Sequence, residues 1–280
     1  MSYRRILTIQ DISCIGQCSM TVALPILSAC GHETCILPPA LLSTHTGGFG
    51  KPAVCHLTDA MGEIRRHWQE QKMTFDLIST GYLGSEKAVS ETMGILDSML
   101  QPGGRVIVDP AMADHGKLYS GLDEAYAEAM KALCARADVM LPNITEAAMM
   151  TGSEYLEDYD EDYIRALLEK LPGQDVVLTG VSLEPGKTGC AIKTGDEITF
   201  FHHEKIAKSY HGTGDIFAAA LTGALAGDFD LKEAARIAAE FTCRCIRNTY
   251  DNPAHWYGVK FETALPYLWS LLHQEQGCGN

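Results

Sequence analysis

Phe75-Asp-Leu-Ile-Ser79, Lys87–Leu100 and Arg105-Val-Ile-Val108 follow one another along the chain, and their reading decides the fold. The first and third are short apolar runs rich in β-branched residues and bounded by turn residues, so they read as buried strands. The middle segment spaces its apolar residues as one face of a helix. Strand, helix and strand in that order form a βαβ unit, in which the crossover helix makes the two strands parallel. The pattern extends in both directions. Arg5–Ile9, Val139–Leu141 and Val176–Thr179 read as further strands, and Leu57–Gln69 and Leu122–Ala135 as further helices. Gly189–Thr194 and Glu197–His202 flank Gly195-Asp196, a two-residue hairpin signal that adds antiparallel structure late in the chain. Three helical stretches follow, Thr213–Gly227, Leu231–Asn248 and Phe261–His273. The expected fold is therefore α/β, three α/β/α layers around a mostly parallel sheet. No linker, repeat or low-complexity segment divides it, and residues 1–280 are expected to form a single domain.

Composition excludes several classes of function. The net charge of −14 and the lack of a basic stripe argue against nucleic acid, whose phosphates demand clustered Lys and Arg. No apolar run approaches the ~20 residues that cross a bilayer, so no membrane span is expected. The apolar part of Met1–Gln10 ends too soon for a secretion signal and reads as a first strand. Ten cysteines lie scattered through apolar segments. Neither Cys30/Cys35 nor Cys243/Cys245 has the partner pair that a zinc site needs. Buried, reduced thiols in a cytoplasmic protein are expected.

In a parallel sheet ligands bind beyond the carboxyl ends of the strands. The residues there are Asp11-Ile-Ser13, Thr80-Gly-Tyr82, Asp109-Pro110, Pro142-Asn143 and Thr179-Gly180. The sharpest signal comes later, at His211-Gly-Thr-Gly-Asp215, which leads into the small apolar run Ile216–Leu221. Two glycines free the backbone to wrap an anion at a helix start, and Asp215 follows within the first turn. Phosphoryl transfer needs that combination, charge stabilisation plus a carboxylate that takes a proton. An acidic first turn after a glycine bend explains the same residues without any chemistry. Asn143-Ile-Thr-Glu146 has capping-box spacing, and its second reading points Glu146 at a hydrated Mg²⁺ and Asn143 at a phosphate. Asp109 and Asp114 share one loop, as cation binding or polarisation of a triphosphate requires. The glycine-rich Thr44–Gly50 fits no phosphate-loop pattern, and no GxGxxG follows the first strand, which argues against a dinucleotide dehydrogenase.

Taken in order, Ile9-Gln10, Thr44-His-Thr-Gly47, Thr80-Gly-Tyr82, Asp109-Pro110, Pro142-Asn143-x-x-Glu146 and Gly212-Thr-Gly-Asp215 resemble the motifs of pyridoxal kinases over about residues 4–248. The resemblance implies a ribokinase-like fold, ATP with Mg²⁺, a monovalent cation (K⁺ or Na⁺), a homodimer, and phosphorylation of the 5′-hydroxyl of a vitamin B6 vitamer. By the same resemblance Asp215 is the catalytic base, and Gly212, Thr213 and Gly214 form the anion hole. Asp109, Asp114, Asn143, Glu146, Thr179 and Gly180 are then the nucleotide positions. Glu146 and Asp109 would reach the metal through water. Asp11, Ser13, Thr46 and Tyr82 line the substrate pocket, and the loop from Asp114 to Ser120, with Tyr119, is a closing flap. Asp11 stands where many pyridoxal kinases carry serine, which favours a protonated ring or an amine. Hydroxymethylpyrimidine kinases of the same superfamily resemble the chain too, but usually carry cysteine in place of Asp215. A non-catalytic nucleotide-binding regulator on the same fold is the third reading. Sugar kinases usually insert a β lid after strand one, and Asp11–Ala40 reads as too short and too helical for one.

Overall fold

A computed structural model describes residues 2–173, 175–208 and 210–273. The strands are β1 Arg5–Ile9, β2 Ile12–Ser13, β3 Glu33–Ile36, β4 Ala40–Leu42, β5 Val54–His56, β6 Phe75–Thr80, β7 Leu100–Val108, β8 Ala113–Asp114, β9 Lys117–Leu118, β10 Val139–Met140, β11 Asp175–Val181, β12 Lys187–Thr194 and β13 Glu197–Glu204. The helices are α1 Met20–Ala29, α2 Thr58–Glu70, α3 Glu86–Met99, α4 Glu124–Cys134, α5 Ile144–Thr151, α6 Glu161–Lys170, α7 Thr213–Ala226, α8 Leu231–Thr249 and α9 Leu265–His273.

Eight strands form the central sheet in the order β13-β12-β11-β10-β7-β6-β1-β3. Every pairing from β11 to β3 is parallel, and only the β11–β12–β13 meander is antiparallel. Period-two alternation sorts the strand side chains between two cores. Ile6, Leu77, Ile107 and Val177 face one core with α1, α7, α8 and α9. Leu7, Ile78, Val106, Val108 and Leu178 face the other with α2 through α6. Three layers result, as the alternation of segments predicts.

The small-residue run of α7 brings that helix close to α1. A Cβ on Gly223 would stand 2.4 Å from the Cys30 sulfur, and His32 Nε2 lies 3.0 Å from the Gly223 carbonyl.

The structure corrects the sequence reading in four places. Asp11–Ala40 is less helical than expected: β2 pairs with β4, and β4 with β5, in a small three-stranded sheet after strand one. Strands of two or three residues carry no periodicity that marks them. Thr179-Gly180 does not follow a strand but lies inside β11, where the register shifts and Gly180 adopts φ +76°. The last helical stretch divides into a 3-10 turn, Phe261–Ala264, and α9, whose Pro266 lacks the N–H that would continue a helix from upstream. Nine described cysteines are all free, and Cys14 and Cys55 are exposed rather than buried. Among the described residues no helix is long and apolar enough to cross a membrane.

Candidate active site

Short backbone bonds bring the strand ends into one row. Gly81 N donates to Ile9 O (3.1 Å), Asp109 N to Thr80 O (3.1 Å), Leu141 N to Val108 O (2.9 Å) and Thr179 N to Pro142 O (2.9 Å). The first turn of α7 stands over this row, because Gly212 caps it in the left-handed region (φ +77°). A Cβ on Gly214 would meet no atom within 4 Å outside its own helix, so this face of the helix start is open. Asp215 and Asp109 line one cavity of about 20 Å³ with Gln10, Thr80 and Thr222. That volume holds roughly one water. Thr80 Oγ1 lines it and has no partner among the described residues.

Four carboxyls crowd this edge, Asp11 and Glu146 buried, Asp109 and Asp215 half-buried but recessed among protein atoms. Burial pushes Asp215 up to about 6, against the opposing Ser19 N–H, and Asp11 adds a little to the rise. Burial pushes Glu146 up to about 7, although Asn143, Met112 and Ala113 all donate backbone N–H groups to it. Asp109 is raised well above the usual carboxylate range by burial, then by Glu146 and Asp215. Asp11, 3% exposed, is raised by burial, and the hydroxyls of Ser19 and Ser13 oppose that rise. Like charges held apart from water in this way create a demand for a cation or a bound proton.

The expected residues divide into three groups. Asp215, Gly212, Thr213 and Gly214 form the helix start, and the Thr213 hydroxyl donates to Tyr210 O at 3.3 Å. Asp11 and Ser13 lie together across from them, with Ser13 Oγ 3.2 Å from Asp11 Oδ2. Tyr82 joins this side: Asp11 N donates to Tyr82 O, and burial, then Asp11, raises the phenol. Thr46 is exposed on its loop. That loop is tied by His45, whose Nδ1 accepts from Gly47 N (2.9 Å), leaving Nε2–H to donate to Tyr257 O (3.2 Å).

On the nucleotide side, Asn143 and Glu146 form a complete capping box. Asn143 Nδ2 also donates to Ala113 O (2.8 Å), and Glu146 Oε1 accepts from Met112 N (3.0 Å), so both side chains hold the Asp109–Asp114 loop. Asp114 is exposed on a hairpin of β8 and β9, whose turn residues His115 and Gly116 both have positive φ. Gly116 N donates to the Thr145 hydroxyl (3.1 Å), docking the hairpin on α5. The flap expected at Asp114–Ser120 thus includes this hairpin. Thr179 lies half-buried beside Pro142. Among the described residues no group of three His, Cys, Asp or Glu side chains is arranged to hold a metal ion. Sequence reading places Thr80 at a strand end that faces the pocket but gives it no role of its own, and it misses Ser19 and Thr145, which nothing local marks.

Comparison with known proteins places this geometry. The family model for phosphomethylpyrimidine kinase matches residues 67–259. A hydroxymethylpyrimidine/phosphomethylpyrimidine kinase of Bacillus subtilis is 30% identical over 176 residues, 62% of this chain and 64% of that enzyme. The crystal structure of pyridoxal kinase from Lactobacillus plantarum superposes with a TM-score of 0.89 at 32% identity, covering 96% of this chain and 98% of that one. A Bacteroides thetaiotaomicron protein assigned to the phosphomethylpyrimidine kinases and solved with pyridoxal gives a TM-score of 0.88 at 32% identity, over 95% and 96% of the two chains. With its strand-end row, its glycine-led helix start and a fold shared over nearly its full length, the chain belongs to the phosphomethylpyrimidine kinase family of the ribokinase-like superfamily.

Proposed function

We propose that the chain transfers the γ-phosphoryl group of ATP to the 5′-hydroxymethyl group of a vitamin B6 vitamer. The observation that carries this reading is Asp215, recessed over the strand ends in the first turn of α7 with Asp11 and Tyr82 on the facing side. A hydroxyl bound there loses its proton to an Asp215 oxygen as its own oxygen attacks the γ-phosphorus and ADP leaves. The turn Gly212–Gly214 directs backbone N–H groups at the charge on the moving group. Mg²⁺ arrives with the triphosphate. Asp109 has one carboxylate oxygen taken by Ala111 N and one left, whereas both oxygens of Glu146 accept backbone bonds. Asp109 and Glu146 therefore meet the cation through its water shell, and its charge relieves their mutual repulsion. A monovalent cation, a homodimer and a cytoplasmic location belong to the same proposal. The free thiols support the location, and exposed Ile15, Leu41 and Val54 around the small sheet support self-association.

The rival is hydroxymethylpyrimidine phosphorylation, favoured by the family model and by the Bacillus enzyme's name. Asp215, in place of the cysteine usual in those enzymes, separates the two. ADP release measured with pyridoxal, pyridoxine, pyridoxamine and hydroxymethylpyrimidine decides. Turnover on the vitamers, with at least about tenfold lower kcat/KM for the pyrimidine, is the expected result. The reverse order overturns the reading, and turnover of none supports a regulator.

A further inference from the structure

The loop that carries Thr46 leaves the small sheet after β4 and returns before β5. Its base is closed by two bonds, Ser43 N to Ala53 O (2.9 Å) and Ala53 N to Ser43 Oγ (3.0 Å). Above that base stand Gly47, Gly48 and Gly50, the last two with φ of +81° and +80°. Glycine loses more conformational freedom on ordering than any other residue. Contacts from elsewhere in the fold therefore fix where Thr46 stands.

Those contacts come from two directions. On one side is His211, the residue before the glycine-led turn: a Cβ on Gly47 would lie 2.5 Å from its ring. On the other side are residues 255–258, which follow α8. The Trp256 ring packs on Phe49 with centroids 4.6 Å apart, and a Cβ on Gly48 would lie 2.5 Å from the same indole. Tyr257 O accepts from the His45 ring (3.2 Å) and from Gln17 N (3.3 Å), so one carbonyl ties two loops. His255 Nε2 donates to Gln17 Oε1 (2.9 Å), and Gln17 Nε2 donates to Glu262 Oε1 (2.7 Å). The segment is itself anchored. Val259 and Phe261 are buried in the core with α8, and Lys260 N donates to the Thr249 hydroxyl (2.8 Å). Trp256 nevertheless stays 44% exposed, so a place in the core does not explain a tryptophan there.

We infer that residues 255–258 are a strap that holds the Thr46 loop against the substrate pocket, with Trp256 as a positioning residue that acts through Phe49. The inference rests on the vitamin B6 reading above, on which Thr46 lines that pocket. Across the fold the strap grips Gln17, His45, Gly48 and Phe49, all on the substrate side. Its effect is therefore confined to the vitamer and spares the nucleotide.

Trp256→Ala removes the stack and leaves the Tyr257 carbonyl in place. KM for pyridoxal is expected to rise about fivefold, the weight of one aromatic pair, with kcat and KM for ATP within about twofold of wild type. Trp256→Phe returns a ring face to Phe49 and brings KM for pyridoxal back to within about twofold of wild type. In a Thr46→Val background KM no longer responds to Trp256, as a double-mutant cycle requires of a residue acting through that loop. If the alanine variant does not fold, Trp256→Leu keeps apolar bulk without a ring face and reads the same split. A merely structural role lowers Tm and moves both KM values or neither, and either result overturns the inference. An equal rise in the Thr46→Val background overturns it too. With a wild type active on the vitamers, both of those outcomes leave the kinase reading standing. A wild type inactive on every vitamer overturns the kinase reading, and the inference falls with it.

Discussion

Gly212 stands against Gln17: a Cβ built on Gly212 would lie 1.9 Å from the Gln17 carbonyl oxygen. The glycine-led turn and the segment after strand one are therefore locked backbone to backbone, with Asp215 on one side and Ser19 on the other. Gly212 also needs its positive φ of +77°, which alanine adopts only with strain. Gly212→Ala is expected to cost about 1–3 kcal/mol, read as a fall of roughly 4 °C or more in Tm. Turnover should drop as the helix start shifts. A variant with wild-type Tm and turnover would show that the two segments separate freely.

Asp215→Asn keeps the shape of the helix start and removes the proton acceptor. Nucleotide affinity, measured by calorimetry with ADP, is expected to remain within about threefold, while kcat falls at least ~100-fold, the usual weight of a general base. Wild-type turnover would leave Asp215 only the role of an acidic first-turn residue.

The pH profile follows from the same residue. Burial raises Asp215 to about 6, so it works as a base only above that value. Log kcat/KM is expected to climb with a slope of about one below pH 6 and level off above it. Stability runs the other way. A carboxyl whose folded value is raised stabilises the fold fully below its unfolded value and loses that contribution as pH rises through about 6. Activity and Tm should therefore diverge between pH 4 and pH 6. Constant activity down to pH 5 would mean that Asp215 is not the titrating base.

Glu146→Gln tests a role that the sequence states incompletely. Capping-box spacing alone says that glutamine substitutes well. In the fold, however, Glu146 Oε2 accepts from Asn143 N (2.8 Å) while Oε1 accepts from Met112 N (3.0 Å). A glutamine amide turns its NH₂ towards one of these donors and leaves a buried N–H without a partner, at a cost of about 1–3 kcal/mol. Tm should fall by several degrees and the Mg²⁺ concentration for half-maximal rate should rise. If stability falls with Mg²⁺ dependence unmoved, Glu146 only holds the Asp109 loop.

The sheet was legible because its strands are apolar, β-branched and punctuated. The reading of β1 matches residue for residue, and the β12–β13 hairpin follows from Gly195-Asp196. The small sheet was not legible, since β2, β4 and β5 have only two or three residues each and obtain their order from one another. The same contrast holds at the candidate site. Asp215 and the Asn143–Glu146 box lie in short local patterns. The bonds from Met112 and Ala113 to Glu146 span 34 and 33 residues, and the φ of +51° at Ser19 is written in no side chain.

Asp11 offers the sharpest test of substrate. It does not face solvent: it is 3% exposed, beside Ser13, and its charge raises both Tyr82 and Asp215. A carboxylate buried there attracts a protonated pyridine nitrogen or an ammonium group, since an opposite charge within ~4–6 Å favours the charged form. Asp11→Ser removes the charge but keeps a hydroxyl. Loss of a charge-assisted hydrogen bond worth ~1.5–3 kcal/mol is expected to raise KM about tenfold or more for pyridoxamine, and less for pyridoxal. The pH dependence gives an independent reading. Burial raises Asp11 above the usual carboxylate value, so acid neutralises it earlier than an exposed aspartate. In the wild type the preference for pyridoxamine should weaken as pH falls, and in Asp11→Ser it should not change. Vitamer ratios equal within about twofold in the two proteins, at every pH with measurable activity, would show that Asp11 braces Ser13 and makes no contact with the substrate's charge.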